Sequence, residues 1–403
     1  MKTRNGALIA AVAAIAVLAV VGGGILASRR APKDSVGTAA APLPAGRPTS
    51  AAAPAPTPPP TRPPTPPPTP PPAPGTQAKS TYPVKVTVDL NKLAKGRAPQ
   101  AVYVSGRKVI SGGQAPVTVP GDGQIMQVIR YADEVWAIVL RDFGYGTNLL
   151  RIPHAGAGRP AQVVVDGGTV VGGADGLSAA YGTEPIGAGG VRTAGGTVVY
   201  EGAAPGDRRE LNRPDDWGVL VMALARDTVY FRSSKSIYST QTTLYGWNVL
   251  TGEVTTLNGV ERAVQLNLAA TAAVTAEQSG PGYCSSYVDV ASGQRKWRTC
   301  EYELANYSDA KAFTPSGNTV IYGPPSYRQA GEQFVAALSA SSGDLVRRWS
   351  GASFQAAIPE DDDHLLIRAA TAEGLQAIVR CSISSGRCEL TTPLTKTDLL
   401  LGA

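Results

Sequence analysis

The chain has 403 residues, among them 45 Gly and 33 Pro, and its formal net charge is +6. The first 81 residues carry eight Lys or Arg and one acid, a net +7, which leaves −1 for the other 322 residues. The basic character therefore belongs to the N-terminal part, and the remainder lacks the electrostatic footprint of a globular nucleic-acid binder.

An apolar segment follows a short N-terminus, 1–5, which we expect to be cytoplasmic. The segment extends over 6–27 and contains 22 residues without a charged side chain. A helix of that length can cross a hydrocarbon core of about 30 Å. We predict a single transmembrane helix that anchors the chain; the alternative is a cleaved signal peptide that ends at Ala27. Basic residues flank both ends of the segment, so the positive-inside rule alone does not set its orientation.

Residues 28–80 form a predicted disordered, proline-rich stalk. Residues 31–80 hold 18 of the 33 prolines and no aromatic side chain, so they cannot bury enough apolar surface to fold. Consecutive prolines favour an extended polyproline II conformation, which suits a spacer; a docking site for modules with aromatic grooves is the alternative. Such a spacer places the domain that follows outside the cytoplasm, at the cell membrane, or secreted if the apolar segment is cleaved.

Residues 81–403 are predicted to form an all-β domain. Short apolar runs are separated by Gly, Ser, Asn and Asp, a pattern typical of strands every ~8–12 residues. Val84, Val86 and Val88 alternate with polar residues, as in a half-buried strand. Five further runs are predicted to be buried strands: Trp136–Leu140, Thr197–Tyr200, Thr228–Phe231, Thr319–Tyr322 and Leu365–Ile367.

One turn signal repeats along this domain: a strand ends in a polar residue, and Ser-Gly or Thr-Gly follows before the next strand. It occurs at Asn248–Gly252, Asp289–Gly293, Ser339–Gly343 and Ser382–Gly386. The glycine allows a positive φ in a hairpin turn, and the polar side chain caps the turn. The four glycines are 41, 50 and 43 residues apart, and similar steps backwards reach Gly206, Gly156 and Gly106.

A second element keeps the same period. Ala312–Gly323 and Ala356–Arg368 each contain a proline, a polar turn and a buried strand, and the two prolines, Pro315 and Pro359, are 44 residues apart. Repeats of about 40–50 residues with four strands each are typical of propeller blades, and the length of the domain predicts about seven of them.

These repeats resemble those of TolB-like and WD-repeat-like bacterial β-propellers. The resemblance rests on FTPSGNTVIYG followed by FVAALSASSGDL, within residues 313–345. It covers about the last 160 residues well and the rest loosely, and neither a Trp-Asp dipeptide nor a Gly-His pair recurs. It implies a propeller fold; binding modules and enzymes both occur on such folds.

The two ends of the domain are predicted to pair and close the ring. Two candidate strands, Val84–Leu90 and Ala101–Val104, precede the turn at Gly106. If that turn joins the third and fourth strands of the first blade, the blade lacks its innermost strand. The chain end, Asp398–Leu401, is apolar and otherwise unassigned, so we predict that it supplies this strand.

The cysteines are predicted to form two disulfides, Cys284–Cys300 and Cys381–Cys388. An even number in an exported domain favours pairing. When the turns DVASG and SISSG are aligned, both pairs lie across the same kind of hairpin, in registers that differ by one, which a single β-bulge absorbs. Four reduced thiols are the alternative, and a zinc site is disfavoured because no CxxC spacing occurs.

Few residues of the sequence indicate a catalytic, metal-binding or ligand-binding site. His154 and His364 are the only histidines, and both are expected at the surface or at strand ends. Glu360–Asp363 could supply oxygen ligands for Ca²⁺, although its position matches a solvated turn. Asp215–Trp217 could face a carbohydrate, although a loop with a half-buried Trp is favoured.

Two stretches place cations beside tryptophan at the same position of successive blades, Arg295–Trp297 and Arg347–Trp349. We interpret them as solvated outer-strand edges, where charges discourage edge pairing; a partner-binding stripe is the alternative. No Gly-x-Ser-x-Gly, HExxH or P-loop motif is present.

The sequence thus predicts a monomeric binding or scaffold module for an extracytoplasmic protein, peptide or cell-wall glycan. No catalytic residues, metal ligands or cofactor are assigned, and no nucleic acid is expected as a partner. The alternative is a glycan-acting hydrolase or lyase that uses paired carboxylates. Acidic residues projecting into the central channel from several blades would favour that enzyme.

Overall fold

Residues 82–402 are described by a computed structural model, except for 142–145, 155–159, 205, 238, 240, 280–281, 303, 305–310 and 324–332. The predicted N-terminus 1–5, membrane segment 6–27 and stalk 28–80 lie outside this part of the chain. Within it, no helix is both long enough and apolar enough to span a bilayer.

The described residues form strands almost throughout. In chain order the strands are β1 (Lys85–Thr87), β2 (Tyr103–Ser105), β3 (Lys108–Ile110), β4 (Val117–Thr118), β5 (Ile125–Tyr131), β6 (Glu134–Leu140), β7 (Thr147–Pro153), β8 (Gln162–Val165), β9 (Gly167–Gly172), β10 (Ala179–Thr183), β11 (Thr197–Glu201), β12 (Arg208–Asn212), β13 (Trp217–Ala225), β14 (Thr228–Ser234), β15 (Thr243–Asn248), β16 (Val254–Leu257), β17 (Ala263–Leu266), β18 (Ala272–Ser279), β19 (Gly282–Asp289), β20 (Arg295–Thr299), β21 (Thr319–Tyr322), β22 (Val335–Ser339), β23 (Leu345–Ser350), β24 (Ser353–Pro359), β25 (His364–Ala370), β26 (Gln376–Ser382), β27 (Cys388–Leu390) and β28 (Leu399–Leu401). Two short 3-10 helices, Leu90–Lys92 and Ala188–Gly190, interrupt them. All five predicted buried strands are confirmed.

The strands form seven four-stranded sheets, the blades of a propeller. From the inner to the outer strand, blade 1 is β28-β2-β3-β4, blade 2 is β5 to β8, blade 3 is β9 to β12, blade 4 is β13 to β16 and blade 5 is β17 to β20. Blade 7 is β24 to β27. Blade 6 contains β21-β22-β23 with β1 added outside β23, and a single bridge from Phe313 to Val320 takes the place of its inner strand. The prediction of about seven blades is confirmed.

The hydrophobic core lies between the blades. The described residues form seven clusters of buried side chains, and each cluster joins one pair of neighbouring blades around the ring. The largest lies between blades 6 and 7 and includes Trp349 from blade 6 and Phe354 and Leu365 from blade 7. Every blade is therefore stabilised by contacts on both of its faces, and these contacts between blades stabilise the closed ring.

The repeated turns lie at one end of the propeller, which we call the turn face. In each, the glycine has a positive φ and its N–H donates to the carbonyl oxygen four residues earlier. Asp289, for example, caps its turn by accepting from the Ser292 N–H and hydroxyl. The connections between successive blades lie at the opposite end, which we call the loop face. Gly106 and Gly206 also have positive φ, whereas Gly156 lies outside the described residues.

The predicted closure is confirmed, with one correction. β28 pairs antiparallel with β2, with Tyr103 opposite Leu401, and it is the innermost strand of blade 1. However, Gly106 joins the second and third strands of this blade, β2 and β3. The strand predicted at Val84–Leu90 therefore does not belong to blade 1.

That strand is instead β1, which extends blade 6. It lies parallel to β23, with Val86 opposite Trp349. The chain then crosses to blade 7, where Lys95 bridges Leu390 of β27, before it enters β2. We call residues 83–98 the N-terminal strap, because they run along the outer strands of the last two blades before the first blade begins.

Candidate functional site

A cavity of about 660 Å³ opens on the loop face, beside blades 1, 2 and 3. Its wall contains the connection Pro120–Gly123, the facing ends of β6 and β7, and the segment from Ile186 to Gly190. The volume falls in the range of about 300–1,000 Å³ that is usual for small-ligand sites. Glycine backbone and apolar side chains provide most of the lining, together with Asp122, Arg141 and Asn148.

Arg107 holds the connection that forms one wall. Its guanidinium donates to the carbonyl oxygens of Val119, Pro120 and Gly123, at 2.9, 2.8 and 2.8 Å. Gly123 is required here because a Cβ atom would lie 2.3 Å from the carbonyl oxygen of Leu140. This wall is therefore fixed by side-chain-to-backbone hydrogen bonds rather than by a regular element.

An ion pair fixes the wall formed by blades 2 and 3. Arg141 Nη2 lies 2.5 Å from Asp166 Oδ1, and Asp166 Oδ2 accepts from the Ile186 N–H at 3.2 Å. Both side chains are largely buried. The pair therefore joins the end of β6 to the segment after β10, and it leaves a charged group beside the cavity.

Asn148 supplies a polar atom without a partner. Its Oδ1 is buried, and no described residue forms a hydrogen bond with it. Leaving a buried polar atom unpaired costs about 1–3 kcal/mol, and such atoms in native proteins call for an explanation such as a bound water or ligand. A donor group of a ligand, such as a hydroxyl or an amide N–H, would satisfy it.

In six of the seven blades, the described inner strands contain no acids of the kind that a glycan-cleaving enzyme would need. Among the described residues, the inner strands β5, β9, β13, β17, β24 and β28 contain no Asp or Glu. Arg130 is the one charged residue in these six strands. The arrangement that would have favoured the hydrolase or lyase is therefore not found in this part of the molecule.

The carboxylates of Glu360–Asp363 do not converge on a common point. Glu360 pairs with Arg380, its Oε2 lying 2.5 Å from Nε. Asp361 accepts from its own turn and from His364 Nδ1 at 2.9 Å. Asp362 and Asp363 accept from the backbone N–H groups of Ser316 and Ser384, respectively. No group of three potential metal ligands occurs among the described residues.

In the Asp215–Trp217 stretch, Asp215 is exposed and Trp217 half-buried, but Asp216 is only 1% exposed. Asp216 accepts from the Ser233 hydroxyl at 2.7 Å, lies 2.6 Å from Arg213 Nη2 and also pairs with Lys235. Burial acts to raise the pKa of Asp216, but these hydrogen bonds outweigh it and hold the pKa below its usual range. Asp216 is therefore buried on the loop face, where it holds Arg213, Ser233 and Lys235 together. Its carboxylate does not face the solvent, where a carbohydrate would bind.

Neither histidine lines the cavity. His154 lies 3.1 Å from Asp133 Oδ2, and both side chains are more than half exposed. His364 begins β25 at the turn face. Both histidines thus lie at strand ends, as the sequence indicated.

The two cation–tryptophan stretches differ. Arg295 and Lys296 are exposed on β20, as predicted for a solvated outer strand. Arg347 is only 1% exposed, so the same interpretation is wrong for blade 6. The reason is the N-terminal strap, which adds β1 outside β23 and covers this edge.

Both predicted disulfides are present. Cys284 pairs with Cys300 and Cys381 with Cys388, with Cα atoms 4.0 and 4.1 Å apart. The predicted bulge lies between Tyr287 and Val288, where the register of β19 against β20 shifts.

The cavity was missed from the sequence because backbone loops from three blades build it. No motif marks residues such as Gly123 or Asn148. The glycine-rich composition of the connecting segments was the one signal, and it cannot distinguish a cavity wall from an ordinary turn.

No protein-family model matches the chain, and no curated protein matches it at a significant level. Among solved structures, an uncharacterized protein from Listeria monocytogenes EGD-e is similar with 7% identity and a TM-score of 0.45, over 70% of this chain and 90% of that one. TolB from Acinetobacter baumannii has 13% identity and a TM-score of 0.40, over 62% of this chain and 65% of TolB. Oligopeptidase B from Leishmania major has 11% identity and a TM-score of 0.47, over 76% of this chain and 50% of the peptidase.

These similarities concern the fold alone, and this chain spans about half the length of the peptidase. The count of seven blades comes from the observed sheets and not from these comparisons. The described domain is a seven-bladed β-propeller, and TolB, whose repeats residues 313–345 resemble, is among the structures similar to it.

Proposed function

We propose that this protein is a membrane-tethered, extracytoplasmic binding module that holds a short peptide or glycan segment in the loop-face cavity. In this proposal, residues 6–27 anchor the chain, residues 28–80 act as a spacer and the propeller is the ligand-binding part. The domain acts as a monomer.

The position of the cavity supports the proposal most directly. The strap enters the domain at the turn face, because Pro83 lies beside the turn residues Ile383 and Ser384, all three accepting from Arg347. The cavity opens on the loop face. A ligand can therefore reach the cavity without meeting the segment through which the domain would be tethered.

The disulfides support placement outside the cytoplasm. Disulfides persist in oxidising compartments and are rare in the cytosol. All four cysteines of the chain are paired, each pair across neighbouring strands of one blade. The anchor and its orientation can be tested with wall-stripped cells, in which external protease should degrade or release the domain before lysis.

The binding role can be tested with muropeptides, which carry both sugar and peptide. The full chain in detergent should bind fluorescent muropeptides, and Ile186→Trp, which places a large side chain in the cavity, should weaken binding by at least about tenfold. Leu250→Trp is the matched control, since Leu250 is 68% exposed on the turn face. Equal affinity in both variants and wild type would place binding elsewhere; no binding by wild type would reject this ligand class.

A further inference from the structure

The N-terminal strap is held far more firmly than a linker requires. β1 is hydrogen-bonded along its length: the Arg348 N–H donates to Val84 O at 2.8 Å and the Val88 N–H donates to Ser350 O at 2.7 Å. Val88 and Leu90 are 2% and 3% exposed, within the cluster that joins blades 6 and 7. The strap is thus part of the core and not a surface tail.

A buried arginine fastens each end of the strap. At its start, Arg347 donates to the carbonyl oxygens of Pro83, Ile383 and Ser384. At its end, Arg380 donates to the carbonyl oxygens of Arg97 and Ala98, at 3.0 and 3.1 Å. These two arginines are 1% and 3% exposed. Charged donors of this kind form the stronger hydrogen bonds of proteins.

Glu360 and the blade 7 edge complete the second attachment. Glu360 neutralises Arg380 and also accepts from the Gln100 N–H at 2.6 Å. The Gly96 N–H donates to Leu390 O at 2.7 Å, and the Leu390 N–H donates to Ala94 O at 2.9 Å. The strap therefore binds blade 6 first and blade 7 second.

The element that follows the strap belongs to the short pairing that closes the ring. β2 pairs with the closing strand β28 through three residue pairs, Tyr103–Leu401, Val104–Leu400 and Ser105–Leu399. Tension applied directly to β2 would act on this short pairing. Tension applied before residue 83 meets β1 first, and because β1 starts at the turn face and lies parallel to β23, a pull away from that face loads all its hydrogen bonds together, in shear.

We propose that the N-terminal strap is a force-bearing clasp that transfers tension on the preceding chain to blades 6 and 7 and keeps it off the closing pair β2–β28. The inference rests on the proposed tethering, since tension arises only if the N-terminal side is anchored while the domain holds a ligand. Its mechanical part concerns this chain alone.

Force spectroscopy on the full chain in detergent tests the clasp. One handle is attached at the N-terminus and the other at residue 237, an exposed loop-face position between β14 and β15 in blade 4, so that the pull on the strap is directed away from the turn face. For wild type, the first event within the domain should release the strap alone, a gain of at most about 60 Å for residues 83–98, with the ring still closed. A first event that already releases blade 1 would overturn the proposal.

Two variants and one control sharpen this test. Arg347→Met should raise the rate of strap release at fixed force by at least about tenfold, because it removes charged hydrogen bonds. Val86→Thr, which keeps the shape of β1 but weakens its packing, should raise the rate less. Arg295→Met, which removes an exposed arginine from the outer strand β20 of blade 5, should leave the rate unchanged. If Arg347→Met folds poorly, the test rests on Val86→Thr alone. Strap release at the wild-type rate in the Val86→Thr variant would contradict the clasp.

This assay contains no ligand and needs no membrane. A normal clasp without muropeptide binding would reject the ligand class and retain the mechanical device. If the chain binds muropeptides but its strap does not bear the load, the ligand class is retained and the mechanical device is rejected.

Discussion

Tyr103 and Leu401 lie opposite each other in blade 1, although one stands near the start of the domain and the other near its end. Leu401 is 2% exposed and packs in the cluster between blades 7 and 1, with Leu366 and Ile378. The neighbouring residue, Leu400, points to the other side of the strand and is only partly buried. The closing strand therefore packs Leu399 and Leu401 against blade 7 on one face and Leu400, less deeply buried, against the cluster between blades 1 and 2 on the other.

We expect Leu401→Ala to destabilise the domain by about 2–5 kcal/mol, the usual range for a buried leucine. Leu400→Ala should cost clearly less, because its side chain loses less contact. Deleting 397–403 should lower the melting temperature more than either substitution, since the whole closing strand is lost. Melting curves of the three variants check this, and a deletion that melts like wild type would contradict closure by β28.

The two disulfides should contribute unequally to stability. They close loops with sequence separations of 16 and 7, and the chain-entropy model gives about 3 and about 2 kcal/mol, respectively. Replacing both Cys284 and Cys300 with Ser should therefore destabilise the domain more than the same change at Cys381 and Cys388. Urea denaturation of the two double variants measures the difference, and peptide mapping without reductant checks the pairing. A cross-link between the two hairpins would contradict the blade register.

A buried glutamine joins the inner strands of blades 2 and 3. Gln127 is 8% exposed; its Nε2 donates to Val170 O at 2.8 Å, and its Oε1 accepts from the Val170 N–H at 3.2 Å. Gln127→Met would leave both backbone groups of Val170 unpaired, so we expect a loss of about 2–4 kcal/mol. Gln355→Met is the control, because Gln355 lies half-buried on the inner strand β24 and no described residue bonds its side chain. Equal denaturation midpoints for the two variants would argue against this interblade bond.

Local patterns in the sequence predicted the parts of the fold that depend on local physics. The turn at Gly293 follows from a positive φ and an Asp cap, and the register of Cys381 against Cys388 follows from the length of one hairpin. The alternation around Val86 predicts a strand but not its partner, because a parallel pairing with β23 leaves no local trace. For the same reason the sequence could not show that Arg347 is buried.

The candidate site was less accessible to prediction than the fold. Its walls depend on backbone carbonyls held by Arg107 and on an ion pair between Arg141 and Asp166. Neither arrangement has a characteristic spacing, since the participating residues come from different blades. Only the placement of the blades brings them together.

Asp216 should make the stability of the domain depend on pH. Its pKa in the folded protein lies below the usual value of about 4, so it binds a proton less readily when folded than when unfolded. A group of this kind contributes stability above its ordinary pKa and loses that contribution as the pH falls through the folded value. Glu360, whose pKa is also lowered because the hydrogen bonds from Arg380 and the Gln100 N–H outweigh its burial, acts in the same direction.

Asp216→Asn removes the charge that Arg213, Ser233 and Lys235 surround, and we expect a loss of about 2–3 kcal/mol at pH 7. The difference from wild type should shrink as the pH falls from about 4 through the lower folded pKa of Asp216, because the wild-type carboxylate becomes protonated over that range. Urea midpoints at several pH values between neutral and strongly acidic measure this convergence. Asp227→Asn, at an exposed position on the turn face, should follow the wild type throughout. A gap between Asp216→Asn and wild type that stays constant down to the lowest pH would show that the charge of Asp216 does not stabilise the loop face.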